Sequence, residues 1–117
     1  MRKIILFTFL LIFSVSSCTD PKEVAESESQ EAVASVALME LGLEVYNNKA
    51  QCGMCHTLQA AGSEGQIGTN LDQLKPSMLQ VVSAVTNGIG VMPSFEGMLS
   101  SEEIDAVAYY VFESTNK

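Results

Sequence analysis

The stretch Cys52-Gly53-Met54-Cys55-His56 decides what kind of fold this chain of 117 residues can adopt. It places two thiols three positions apart, and an imidazole directly follows the second thiol. His56 is the only histidine in the sequence, and Cys18 is the only other cysteine. Metal centres that need several histidines are therefore excluded, and the chemistry has to be organised around this one short segment.

Two cysteines at this spacing, followed at once by a histidine, are typical of covalent haem attachment. Each thiol can add across one vinyl group of the porphyrin, and the neighbouring imidazole then reaches the iron from the same side. We therefore predict one covalent haem c, bound through Cys52 and Cys55, with His56 as one axial ligand of the iron.

Other interpretations of the motif explain less of it. A redox-active dithiol would begin a helix within a strand–helix–strand unit, and no such pattern surrounds Cys52. A structural zinc site needs four ligands, and only carboxylates remain to complete the set of Cys52, Cys55 and His56. A plain disulfide would leave His56 unexplained. A thiol or metal protein without haem stays an alternative, and it predicts free thiols or a disulfide.

The second axial ligand cannot be a histidine, and the sequence holds six methionines. Met92 lies in a glycine-containing loop that follows a predicted helix, and Pro93 stiffens the chain beside it. We predict that Met92 is the second ligand, with Met98 or an open coordination site as the alternatives. Four methionines fit less well because they fall in the N-terminal segment, in predicted helices or inside the attachment loop: Met1, Met39, Met54 and Met78.

The N-terminus has the pattern of an export signal. Arg2 and Lys3 precede an apolar run over 4–13, and small residues then lead to Cys18. The run is too short to span a bilayer, which takes about 20 residues. We predict a signal peptide over 1–17 and, because 15–18 resembles a bacterial lipobox, a lipidated Cys18. The protein would then be exported and lipid-anchored at the periplasmic or outer face of a bacterial membrane.

Residues 18–35 are rich in Glu, Ser and Ala and contain no aromatic side chain. Such a segment buries too little surface to offset its ordering entropy, so we predict a flexible acidic tether, helical only toward its end. After removal of the signal, 4 basic side chains remain against 14 acidic ones. This negative charge argues against nucleic acid as a partner, since phosphates repel it.

Residues 36–117 are predicted to form one all-α domain with long loops. Apolar spacings indicate one helix over about 36–48, a second that begins near Pro76 and stops at Asn87-Gly88, and a third that begins after Ser100. Ser100 and Glu103 have the spacing of a capping box. A core of this size is marginal without a large prosthetic group. The predicted apolar faces consist of Leu38, Leu41, Val45, Met78, Leu79, Val82, Val85, Ile104, Val107, Ala108 and Val111.

In their order along the chain, these pieces resemble the class I c-type cytochromes, from about Leu38 to Phe112. Besides the attachment motif, the resemblance rests on segments 42–46, 68–71, 87–95 and 99–111. It implies the cytochrome c fold, in which a few helices and long loops wrap round one covalently bound haem. It also implies that Gly42 allows the first and last helices to approach closely and that Tyr110 packs where they cross. The carbonyl of Thr69, at a position where the family often has proline, is expected to accept a hydrogen bond from His56.

The resemblance and the ligand set together imply electron transfer. An iron with both axial positions filled has no site for a substrate, so we expect a one-electron carrier and not an enzyme. Its partners would be redox proteins of a respiratory or photosynthetic chain, met through small transient contacts. Because the chain is acidic, we expect basic patches on those partners. A haem sensor or haem enzyme subunit with an open distal site is the alternative function.

Overall fold

The computed structural model describes the backbone of residues 21–117 and the side chains of residues 28–117. The predicted signal peptide over 1–17 and the predicted lipid site at Cys18 lie outside the described residues. The part of the chain that is described contains no helix long and apolar enough to cross a membrane. In chain order, the elements are helix α1 (Pro21–Glu44), a π-helical turn (Val45–Lys49), a 3₁₀ turn (Cys52–Met54), strand β1 (Thr57–Leu58), a 3₁₀ turn (Gln59–Ala61), strand β2 (Ser63–Glu64), and helices α2 (Leu71–Leu74), α3 (Met78–Asn87) and α4 (Ser101–Thr115).

The fold is all-α, as the sequence predicts, apart from one hairpin of two-residue strands. Helices α1 and α4 cross at Gly42, where a β-carbon would lie 2.3 Å from the carbonyl oxygen of Ala106 and 2.5 Å from the β-carbon of Tyr110. One turn later the chain carries Tyr46 into the core, fully buried, with its ring centroid 6.0 Å from that of Tyr110. The close crossing implied by the family resemblance is therefore confirmed.

Helix α4 begins with the predicted capping box. The hydroxyl of Ser100 accepts from the backbone N–H of Glu103, and the Glu103 carboxylate accepts from the backbone N–H of Ser100. Glu103 also forms an ion pair with Lys49 at the end of the π-helical turn. Hydrogen bonds from Lys49 and from the Ser100 backbone hold the pKa of Glu103 below its ordinary value. The predicted apolar face of α4 is buried: Ile104, Val107, Ala108 and Val111.

Helix α3 ends as predicted but presents a different face to the core. Gly88 stops it with a positive φ of 74°, and its N–H donates to the carbonyl of Ala84. Leu79, which the sequence predicts on the apolar face, is 81 % exposed, and Val81 is buried in its place. Two residues correspond to about 200° round a helix, so the two side chains lie on opposite sides and only one can face the core. Pro76 precedes the cap and does not form part of the first turn.

The segment predicted as a flexible tether is helical from Pro21 onward and continuous with the first helix of the domain. Ala, Glu and Lys are good helix formers, and no glycine interrupts them before Gly42. Proline is favoured in the first turn of a helix, which agrees with a start at Pro21. Side chains 28–34 are exposed, so this part of α1 adds nothing to the core. The boundary predicted at residue 36 coincides with no break in the helix.

The crossing makes a test of Gly42 possible. Changing Gly42→Ala raises intrinsic helix propensity by about 1 kcal/mol, but it forces a methyl group against the backbone of α4. We expect a net loss of about 1–2 kcal/mol in the free energy of unfolding, measured by urea denaturation of the haem-loaded protein. Ala37→Leu, which enlarges an exposed residue of the same helix with little change in helix propensity, should change it by less than about 0.5 kcal/mol. A Gly42→Ala protein as stable as the wild type would contradict the close crossing.

Candidate haem-binding site

The attachment motif forms a tight turn closed by one carbonyl. The backbone N–H groups of Cys55 and His56 both donate to the carbonyl oxygen of Cys52, at 3.1 and 2.9 Å. Gln51, immediately before the turn, adopts a left-handed conformation with φ of 50°. Both thiols are unbonded and partly buried. Burial raises the pKa of Cys52 to about 11, which is opposite to the lowered pKa of a reactive dithiol.

The imidazole of His56 is held from two sides. Its Nδ1–H donates to the carbonyl oxygen of Thr69 at 2.7 Å, which confirms the contact implied by the family resemblance. The ring lies directly on Gly68, where a β-carbon would be 2.5 Å from Cε1 and 2.9 Å from Nε2. With Nδ1 engaged, the lone pair of the neutral ring is at Nε2, the atom left to ligate a metal.

The loop after β2 folds over the attachment turn at Gly65. A β-carbon there would lie 2.5 Å from the carbonyl carbon of Cys55 and 2.7 Å from the backbone nitrogen of His56. The Thr57 hydroxyl donates to the Gly65 carbonyl at 2.9 Å, and the Gly68 N–H donates to the Cys55 carbonyl at 2.8 Å. The sequence predicts only a long loop here, and no local pattern indicates that Gly65 and Gly68 lie against the attachment turn.

The two candidate sixth ligands differ in burial. Met92 is partly buried and packs against the core, whereas Met98 is 68 % exposed. Met92 and Ile89 exchange two backbone hydrogen bonds, of 2.9 and 3.1 Å, that close the loop after α3. A β-carbon at Gly88 would lie 2.6 Å from the Met92 carbonyl oxygen. The backbone at Gly88 therefore packs as closely against its neighbours as the backbone at Gly68 does.

The residues present fit a haem. Nε2 of His56 is free beside two unbonded thiols, which is the donor set that covalent attachment and ligation require. Several large apolar side chains from the motif to the start of α4 are also exposed, and a large apolar group would cover surface of this kind. Among the described residues, no group of three or more His, Cys, Asp or Glu side chains is arranged to hold a metal ion by itself. The exposed apolar side chains in this stretch include Met54, Ile67, Leu74, Leu79, Ile89 and Val91.

Several known proteins are similar to this chain over the residues that form the site. A family model described as cytochrome c oxidase, cbb3-type, subunit III, matches residues 37–111. Cytochrome c6 of Leptolyngbya boryana is 35 % identical over 80 residues, covering 65 % of this chain and 92 % of that protein. Chloroplastic cytochrome c6 of Chlamydomonas reinhardtii is 34 % identical over 93 residues, covering 70 % and 58 %. The crystal structure of the c-type cytochrome SorU from Sinorhizobium meliloti has a TM-score of 0.66 and 46 % identity, covering 69 % of this chain and 94 % of that one.

This chain belongs to the class I c-type cytochromes. The predicted cofactor, one covalent haem c, is confirmed, and Cys52, Cys55 and His56 fit the attachment motif for it. The predicted fold class is confirmed as well. The protein is a monohaem electron carrier and not an enzyme, and its redox partners are met transiently.

The contact between Gly68 and His56 can be tested directly. Gly68 is not among the glycines with a positive φ, so alanine is compatible with its backbone and Gly68→Ala adds only a methyl group against the ring. We expect the ring to shift and the bond to Thr69 to weaken, with altered electron paramagnetic resonance g-values of the oxidised haem. Ala37→Leu is the control, since it enlarges an exposed side chain of α1 and leaves the loops that carry His56 and Met92 unchanged. Unchanged g-values in Gly68→Ala would show that Gly68 does not set the ring position.

Proposed function

We propose that this protein is an exported, lipid-anchored cytochrome c with His56 and Met92 as axial ligands, which carries electrons between redox proteins of a respiratory or photosynthetic chain. The observation that carries the proposal is the hydrogen bond from His56 Nδ1–H to the Thr69 carbonyl. It fixes the tautomer and the orientation of the ring, and it leaves Nε2 for the iron.

The residues of the site have different roles in holding the haem and in setting its properties. Cys52 and Cys55 would hold the haem through thioether bonds, which fixes it in place without reliance on ligation alone. The Thr69 carbonyl makes the His56 imidazole more basic and therefore a stronger donor. When bound, the haem supplies a one-electron couple between ferric and ferrous iron. A thioether from Met92 would favour the ferrous state and raise the reduction potential.

The choice of Met92 over Met98 rests on burial and loop geometry. A ligand has to point toward the interior that holds the haem, and Met92 packs against the core while Met98 is mostly exposed. The paired backbone bonds between Ile89 and Met92 hold the thioether on a rigid loop. A rigid loop lowers the entropy lost when a side chain is fixed on a metal. With both axial positions filled, a substrate or gas would have no access to the iron.

The charge of the domain supports a basic partner. Within residues 36–117, Glu and Asp outnumber Lys and Arg by 9 to 3, and Lys49 is already paired with Glu103. A negative carrier is steered by positive patches, and the association rate should fall as salt rises. The matching family model is named for a respiratory oxidase and one relative for the chloroplast, which supports an electron-transport chain as the setting.

Spectra of two single variants test the ligand assignment. His56→Ala should abolish the low-spin centre of the native protein, because the iron loses its nitrogen ligand. Met92→Ala should keep the haem attached through both cysteines and open the sixth position. The measurements are the sulfur-to-iron charge-transfer band of the oxidised form and carbon monoxide binding by the reduced form.

Met98→Ala is the matched control and should leave both measurements as in the wild type. An intact charge-transfer band in Met92→Ala, together with its loss in Met98→Ala, would transfer the ligand role to Met98. Absence of the band from the wild type, with ready binding of carbon monoxide, would instead support a haem sensor or enzyme with an open distal site. A wild-type protein without covalent haem would refute the proposal.

The anchor is tested with the full chain expressed in a bacterium that matures lipoproteins and attaches haem. Cys18→Ser should abolish incorporation of labelled fatty acid and move most of the cytochrome from the membrane fraction to the soluble one, because the acyl chains supply the membrane affinity. Ser17→Ala, which keeps a small residue before Cys18, should leave both labelling and fractionation unchanged. A wild-type chain that takes up no label would refute lipidation without affecting the haem site.

A further inference from the structure

A partly buried network of hydroxyl groups lies beside the attachment turn and has no part in the ligand set. The Tyr46 hydroxyl is 3.0 Å from the Ser63 hydroxyl oxygen. That oxygen also accepts from the backbone N–H of Leu58 at 3.1 Å, and Ser63 donates its own proton to the Leu58 carbonyl at 3.4 Å. The two hydroxyls share a hydrogen bond in which either oxygen can be the donor.

The attachment turn lies between the two elements that this network joins. Ser63 is on β2, opposite Leu58 on β1, and β1 begins at the residue after His56. The backbone of Gly53 lies beneath the two side chains: a β-carbon there would be 2.7 Å from the Ser63 β-carbon and 3.5 Å from Cε1 of Tyr46. The π-helical turn and the hairpin are thus joined across the turn that bears both thiols.

We propose that Tyr46 and Ser63 form a positioning pair that fixes the attachment turn and, through β1, the ring of His56. The inference rests on the proposed function, in which His56 ligates the iron. On one side the His56 ring is held by Gly68 and Thr69, and on the other its backbone continues directly into β1. If β1 is not pinned through Ser63, the backbone that carries the ring is free to shift relative to the Thr69 carbonyl.

The positioning of the attachment turn depends on the hydroxyl of Tyr46 and not on its aromatic ring. A phenylalanine would fill the same buried space beside Tyr110, yet the phenol is fully buried and needs a partner to offset its desolvation. Burial raises the pKa of Tyr46 to about 12, so its hydroxyl stays protonated at any pH at which the protein would be used.

Removal of the bond should be visible in the haem. A weaker bond from His56 to Thr69 lowers the basicity of the imidazole, which then stabilises ferric iron less. We expect Tyr46→Phe and Ser63→Ala, each in the haem-loaded full chain, to raise the reduction potential and to alter the g-values of the oxidised form. Because both substitutions remove the same bond, the double variant should shift the potential no further than Ser63→Ala alone.

Tyr110→Phe is the matched control. It removes a second buried hydroxyl from the same ring pair, but that hydroxyl interacts with Ser114 within α4, away from the attachment turn. We expect it to reduce stability to a similar extent and to leave the potential and g-values unchanged. If the core simply became less well packed, the reduction potential and the g-values would change in both tyrosine variants.

The proposal is overturned if Tyr46→Phe leaves potential and g-values as in the wild type, or if Tyr110→Phe shifts them equally. It is also overturned if the shifts of Tyr46→Phe and Ser63→Ala add in the double variant. These results are distinct from failure of the proposed function. A low-spin wild-type spectrum that is lost in His56→Ala keeps the ligand assignment intact, whatever the tyrosine variants show.

Discussion

The hydrogen bond between His56 and the Thr69 carbonyl is the constraint on which the rest of this structure depends. It joins residues 13 positions apart and fixes one nitrogen of the ring, so that the other is available to a metal. It also brings the 65–69 loop so near the attachment turn that side chains are excluded at two positions, Gly65 and Gly68. The glycines of this loop are therefore a consequence of the ligand geometry and not of a need for flexibility.

The helices hold this loop from the opposite side. Gly42 lets α1 approach α4 closely, and the π-helical turn that follows directs Tyr46 inward beneath the attachment turn. Such turns are rare and often lie next to functional sites, which agrees with the position of this one just before Cys52. The ion pair between Lys49 and Glu103 ties the end of the turn to the start of α4. The attachment motif is thus linked to α1 through the π-helical turn and to α4 through the ion pair between Lys49 and Glu103.

Features encoded locally could be predicted from the sequence, and features encoded at a distance could not. The capping box of α4, its apolar face and the attachment motif each lie within one short window. Leu79 and Val81 show the limit, because either choice gives α3 an apolar stripe of helical spacing and only the position of the core decides. The bond between Tyr46 and Ser63 joins residues 17 apart in different elements, and no local pattern indicates it. For the segment before residue 36, composition predicted a flexible tether that is helical only toward its end, whereas the described chain is helical from Pro21 onward.

Thr69 raises a mechanical question, since the family often has a proline there to stiffen the chain. Here the rigidity comes from the residues that follow. Asn70 caps α2 by accepting from the Gln73 N–H at 3.2 Å, and Leu71 is buried in the core. The position of the Thr69 carbonyl is therefore set by a capped helical turn anchored through one apolar side chain. A helix of four residues has little stability by itself. Its value in this structure is that it anchors the acceptor of the His56 hydrogen bond to the core.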